Sequence, residues 1–140
     1  MSKEYVCRDI AWVRKAMPFL QGYCRDISEQ SKIIIYLMNK IDKIKLLYNV
    51  SRYKIIDEDK IDSIKSDVMK RAGKICEWIK ELNDMGIASC NEEMGFIDIM
   101  ITDIFINDVV LICLGPDDFS DSLYYHDLEE NYSNRRTYWE

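Results

Sequence analysis

The chain predicts an α+β fold: an N-terminal helix, a long antiparallel helical hairpin of coiled-coil type, then a C-terminal β-hairpin with an aromatic, acidic tail. Three observations carry this. Two long segments place apolar residues at helical spacing. Past Gly86 the pattern changes to alternation and to runs of β-branched residues. The 140 residues, 48% apolar and 31% charged with five Gly and two Pro, have the composition of one globular domain rather than of a disordered or disulfide-stapled chain. Within that single domain, 1–140, the helical hairpin part occupies 1–86 and the β-hairpin with its tail 87–140.

The first helix is read from Asp9 to Leu20, where Ile10, Val13, Met17 and Leu20 share one face. Pro18 removes a backbone donor and crowds the preceding turn, so a bend or break is expected there, loosened further by Gly22. From Ile27 to Tyr48 a seam of Ile27, Ile34, Leu37, Ile41, Ile44 and Tyr48 predicts the first arm of the hairpin. Asn49 to Asp59 is the expected turnaround, with Asp57 or Asp59 placed to cap the next helix. Ile61, Ile64, Val68, Ala72, Ile75, Ile79 and Leu82 form the facing stripe of the second arm. Two such stripes bury themselves by packing antiparallel, and an arm of about 28 residues spans roughly 42 Å. Apolar residues off the stripe, among them Ile33, Ile35, Met38 and Trp78, suggest a second covered face, through the N-terminal helix or a homodimer.

Gly86 suits the left-handed cap that ends a helix. Ile97, Ile99 and Ile101 then alternate with Asp98 and Met100, and Val109 to Leu114 is a β-branched run. Asn107-Asp108 supplies turn chemistry between them, and Gly115-Pro116-Asp117-Asp118 closes the hairpin. The tail from Phe119 is too aromatic for a solvated linker and is expected to lie over the sheet.

Net charge is −6, which weighs against a nucleic-acid surface, but the charge is divided unevenly. From Met1 to Cys90 there are 17 Lys/Arg against 13 Asp/Glu; from Asn91 to Glu140 there are 2 against 12. Five cysteines, odd in number and without a C-x-x-C pair, read as reduced thiols in the cytoplasm, with Cys24, Cys76 and Cys113 expected as small buried residues. Charged residues interrupt any signal-peptide pattern at the N-terminus, and no apolar run approaches the ~20 residues of a membrane span.

No phosphate loop, dinucleotide fingerprint, nucleophile elbow or metalloprotease motif is present. His126 is the single histidine; Asp98, Asp127, Glu129 and Glu130 are carboxylates able to join it at a metal, and Asp127 is placed to orient its ring. Arg135-Arg136 is the only basic pair in the acidic half; it either pairs internally or recognises a carboxylate or phosphate.

The order of these elements resembles the prokaryotic domain of unknown function 2203 family. Tyr5-Val6-Cys7-Arg8-Asp9-Ile10-Ala11 with Met17-Pro18-Phe19-Leu20 is similar to that family's aromatic start and leucine-leucine-proline helix. Gly95-Phe96-Ile97-Asp98 resembles its Gly-x-x-Asp, Leu111-Ile112-Cys113 its second strand, Tyr125-His126-Asp127-Leu128 its Trp-His element, and Tyr132-Ser133-Asn134-Arg135-Arg136 its arginine segment. The chain departs from the pattern in having Ile99-Met100 after Asp98, Leu114 for the strand tryptophan, and Asn131 and Asn134 for two glycines. The resemblance implies the same fold and points to Asp98, His126, Arg135 and Arg136 as ligand-binding residues; the family has no established activity, so it names no ligand or cofactor.

Together these features favour a non-catalytic module that binds a protein through the hairpin or a ligand at Asp98, His126 and Arg135. The alternative is a metal-binding protein or small enzyme using Asp98 and His126. A third class, RNA or ribosome association through the basic helical half, has the weakest support.

Overall fold

The structure, a computed structural model, describes residues 7–50, 58–87, 89–103, 108–118 and 122–138. Two helices, α1 (Ile10–Val50) and α2 (Glu58–Asp84), form an antiparallel hairpin. Among the described residues five strands follow: β1 (Ser89–Cys90), β2 (Ile97–Asp103), β3 (Asp108–Leu114), β4 (Tyr124–His126) and β5 (Arg136–Thr137). They pair in chain order as one antiparallel sheet, β1-β2-β3-β4-β5. The α+β class and the C-terminal placement of the strands agree with the sequence.

Asp9 starts α1, its carboxylate accepting the Trp12 N–H at 2.7 Å. The expected break at Pro18 does not occur: α1 runs unbroken past it, so the N-terminal helix and the first hairpin arm are one element. An interior proline costs about 3 kcal/mol. Against that, Val13, Met17, Leu20 and Cys24 are all buried along the same face on both sides of Pro18, each side chain contributing on the order of 1.5–3 kcal/mol for the larger ones. Pro18 itself is exposed.

The α2 terminus follows the cap expected at Gly86. Its φ is +84°, Gly86 N–H donates to the Asn83 carbonyl and Ile87 N–H to the Leu82 carbonyl, and Leu82 and Ile87 are both buried. Of the turnaround, residues 51–57, including the candidate cap Asp57, lie outside the described residues, and Asp59 lies within the first turn of α2.

Two separate cores result. The main one joins the inner face of the sheet, Ile97, Ile99, Ile101, Val110, Ile112 and Leu114, to α1 at Val13 to Ile27 and to α2 at Ile75 and Leu82. A smaller cluster, Ile41, Ile61 and Ile64 with Leu37, Ile44 and Val68 against it, closes the far half of the hairpin. The stripes read from sequence are these contact faces, except that Ala72 is exposed and Trp78 packs against the main core. Cys24 and Cys113 are buried as expected, whereas Cys76 is exposed; all five thiols are free. Among the described residues no helix is long and apolar enough to cross a membrane.

The tail does not simply cover the sheet but extends it, as β4 and β5. Of the expected turn Asn107-Asp108, Asp108 belongs to β3, paired with Asp103, and Asn107 lies outside the described residues. At the other end of the chain Arg8 bridges Ile101 in parallel, with its N–H on the Met100 carbonyl at 2.8 Å, lengthening the free edge of β2.

Gly95 sets the distance between sheet and helix. Its φ is +77°, and a Cβ there would collide with the Cys24 carbonyl and press on Ser28. Gly95→Ala is therefore expected to lower unfolding free energy by about 2–4 kcal/mol. Gly73, inside α2 with open space around its Cα, provides the contrast: Gly73→Ala should raise stability by about 0.5–1 kcal/mol. Urea unfolding of the two variants checks both signs.

Candidate functional site

The outer face of the sheet, turned away from the helices, carries the polar residues. One cross-strand row runs through all five strands: Ser89 pairs with Asp98, Asp98 with Cys113, Cys113 with Tyr124, and Tyr124 with Thr137. The next row on that face pairs Met100 with Leu111 and Leu111 with His126. Asp98 and His126 thus stand on strands either side of β3, where backbones two strands apart are separated by roughly 10 Å. Their side chains meet over the middle strand, at Cys113.

His126 is 1% exposed and both ring nitrogens are engaged. Nδ1 lies 2.8 Å from the Asp127 carbonyl oxygen, which can only accept, so Nδ1 carries a hydrogen. Nε2 lies 2.9 Å from Asp98 Oδ1. The second Asp98 oxygen, Oδ2, accepts the Ser89 hydroxyl at 2.7 Å. At the 2.9 Å Nε2–Oδ1 distance the two atoms form a hydrogen bond, one of them carrying the bridging hydrogen. Sequence reasoning brought Asp98 and His126 together. It assigned ring orientation to the Asp127 carboxylate; the backbone carbonyl of that residue does it instead, while the carboxylate pairs with Arg136 at 3.4 Å.

Cys113 is the member the sequence did not single out. Its sulfur lies beside Asp98, and burial together with that carboxylate's charge pushes the thiol far up, so that Cys113 is a thiol and not a thiolate near neutral pH. One ligand atom from each of Asp98, Cys113 and His126 lies within 4.8 Å of those of the other two. Register alone could have exposed it: residues paired across an antiparallel ladder share a face, so Cys113 opposite Asp98 had to point outward.

Beside Asp98 a cavity of about 340 Å³ opens, lined by Ser89, Cys90, Asn91 and Phe96 on one side and by Glu130, Asn131 and Tyr132 on the other. Phe96 and Tyr132 stack at 4.5 Å with planes 10° apart. The turn carrying Asn131 and Tyr132 is a single 3-10 turn, Tyr132–Asn134, closed by reciprocal bonds between the Asn131 and Asn134 side chains and backbone.

Arg135 and Arg136 are both committed internally. Arg135 forms a fork with Asp118 at 2.6 and 2.8 Å, its guanidinium lying 4.8 Å from the Phe96 ring centre and 4.4 Å from that of Tyr124. Burial alone would lower the pKa of Arg135; the Asp118 hydrogen bonds and charge outweigh it and hold the pKa above its ordinary value. Arg136 pairs with Glu130 at 2.7 Å, at the cavity edge. With their guanidiniums held by these carboxylates, neither arginine is part of the Asp98–Cys113–His126 cluster.

No family model matches the chain, and no curated protein and no solved structure matches it.

Asp118 is 9% exposed and takes hydrogen bonds from Arg135 and from the Gly115 N–H at 2.7 Å. Asp118→Asn leaves the guanidinium without its counter-charge and should cost about 3 kcal/mol in urea unfolding. Asp117→Asn, one residue away and exposed, should change stability by no more than about 0.5 kcal/mol.

Proposed function

We propose that this protein binds a small polar ligand in the cavity beside Asp98 and does not turn it over. The carrying observation is that Asp98, fixed from two sides by Ser89 and His126, lines a cavity together with Glu130, Asn91, Asn131 and the Phe96–Tyr132 stack. Carboxylates beside an aromatic wall suit a compact donor-rich molecule, and a primary amine is the simplest of that class. The engagement of both His126 nitrogens, the protonated thiol of Cys113 and the pairing of both arginines support binding over acid–base or nucleophilic work. Five free thiols support the cytoplasm as its place of work. The likeness to the family of unknown function agrees with this reading, since Asp98 and His126 are among the residues it points to.

A panel of small amines, putrescine, agmatine and choline, tested by amide chemical shifts at millimolar concentration, checks the proposal. At least one is expected to shift the amides of Ser89, Asn91, Phe96, Asp98 and Asn131 saturably, with the response lost in Asp98→Asn. Shifts absent from these residues across the whole panel would refute it.

A second reading, contact with a protein or a second copy through the hairpin, is favoured by one observation. Ile35, Tyr36, Met38, Leu46, Leu47 and Met69 are all exposed on the two helices, more apolar surface than scattered single residues provide. Sedimentation velocity is expected to show a dimer that Leu46→Glu with Met69→Glu converts to monomer; a concentration-independent monomer in the unchanged chain argues against self-association.

A further inference from the structure

We propose that Asp98, Cys113 and His126 form a binding site for a divalent transition-metal ion of the zinc type. The inference deepens the binding reading above and rests on it for the placing of Asp98 at a ligand cavity.

The donor set is the first argument. A thiolate sulfur, an imidazole nitrogen and one carboxylate oxygen are borderline-to-soft ligands in combination, a set that suits Zn²⁺, Co²⁺ or Fe²⁺ and not the oxygen-seeking Mg²⁺ or Ca²⁺. The three donor atoms already lie within 4.8 Å of one another. In a tetrahedral zinc site, with bonds of about 2.0–2.3 Å, donor atoms sit roughly 3.3–3.8 Å apart, so ring and carboxylate need to part by only a few tenths of an ångström from their 2.9 Å contact.

Orientation is the second. Metal-binding histidines characteristically donate their other ring N–H to a carbonyl or carboxylate. His126 does this: Nδ1 faces the Asp127 carbonyl at 2.8 Å, which fixes the ring and aims Nε2 at the cluster. Asp98 is prepared in the same manner, with Oδ2 held by the Ser89 hydroxyl at 2.7 Å and Oδ1 turned inward. Each ligand comes from a different one of three adjacent strands, β2, β3 and β4, whose ladder restrains their separation.

Charge is the third. The bare cluster carries a bridging hydrogen in the 2.9 Å Nε2–Oδ1 contact and the hydrogen of the Cys113 thiol beside it. Binding replaces these with one ion. M²⁺ takes the Nε2 lone pair, Asp98 Oδ1 and Cys113 Sγ; the proton shared by His126 and Asp98 and the thiol proton of Cys113 leave, so two positive charges enter and two depart. The liganded cluster is neutral, as the protonated one was. Asp98, whose side chain is 17% exposed, gives the ion its way in, and the three residues leave one tetrahedral position to water or to a donor atom of the bound molecule.

The test is titration of chelator-treated protein with Co²⁺. One equivalent should bind with a thiolate-to-cobalt charge-transfer band in the near ultraviolet and intense visible bands of four-coordinate cobalt, and Zn²⁺ should displace it. Cys113→Ala is expected to abolish the charge-transfer band while retaining the far-ultraviolet dichroism of the native fold, and Cys90→Ala to preserve the band. Ser89→Ala, which releases Oδ2, should weaken cobalt binding about tenfold. No saturable cobalt binding, or a charge-transfer band unchanged in Cys113→Ala, would overturn the assignment. If Cys113→Ala fails to fold, His126→Asn carries the test, with loss of the band in a folded variant required. The amine experiment, run separately in chelator, divides the two proposals: amine shifts without cobalt binding remove the metal site alone, and cobalt binding without amine shifts removes the amine reading alone.

Discussion

A carboxylate withdrawn from water must recover its lost hydration from the protein, and Asp118 does so from several directions at once. Its oxygens take the Arg135 fork and the Gly115 N–H, while its own backbone carbonyl takes the Gln21 side-chain amide of α1 at 2.9 Å. One residue therefore fastens the last segment of chain, the end of β3 and the first helix to each other. That anchor adds to the Phe96–Tyr132 stack and the Arg136–Glu130 pair in holding Tyr132, Asn131 and Glu130 across from Ser89 and Asp98, where the strand that follows them, β5, is only two residues long. The Asp118–Arg135 pair is worth more as a positional device than as a gain in energy, since the cost of burying two charges consumes most of their attraction.

The aromatic side chains act on the same joint. Phe96 lies against Gly115, where any Cβ would meet its ring, and is sandwiched between Tyr132 and the Arg135 guanidinium. A planar cation stacked on a ring and forked to a carboxylate has very few alternative conformers, so the fork and the stack confine Arg135 more tightly than either would separately. Lysine could replace the charge but neither the fork nor the stack.

The helices were legible because their stripes are long: Ile61 to Leu82 repeats a helical face often enough to outweigh any single residue. Pro18 misled for the opposite reason, since local chemistry at one position lost to burial on either side of it. In the sheet, the alternation of Ile97, Ile99 and Ile101 gave both the strand and the outward direction of Asp98, and His126 stood out as the single histidine. Cys113 was hidden by its setting. Val109 to Leu114 is apolar throughout, so periodicity cannot tell its two faces apart, and the pairing that does so depends on a connection whose length the turn residues did not reveal. Ser89 was hidden by brevity, for a two-residue strand has no period at all. Arg135 and Arg136 were visible as a pair, and the ion pairs they make were one of the two readings that the excess of acidic residues around them left open.

The division of the apolar interior into two clusters gives the molecule a part whose length is a free variable. Everything that shapes the outer face of the sheet is supported by the cluster at the base of the hairpin, while Ile41, Ile61 and Ile64 support only the far end. Adding or removing matched turns in the two arms beyond Ile34 and Ile75 would change the reach of the hairpin and leave Asp98, Cys113 and His126 where they are. Reach and recognition can therefore vary independently in this architecture: one is set by counting helical turns, the other by the register of three strands.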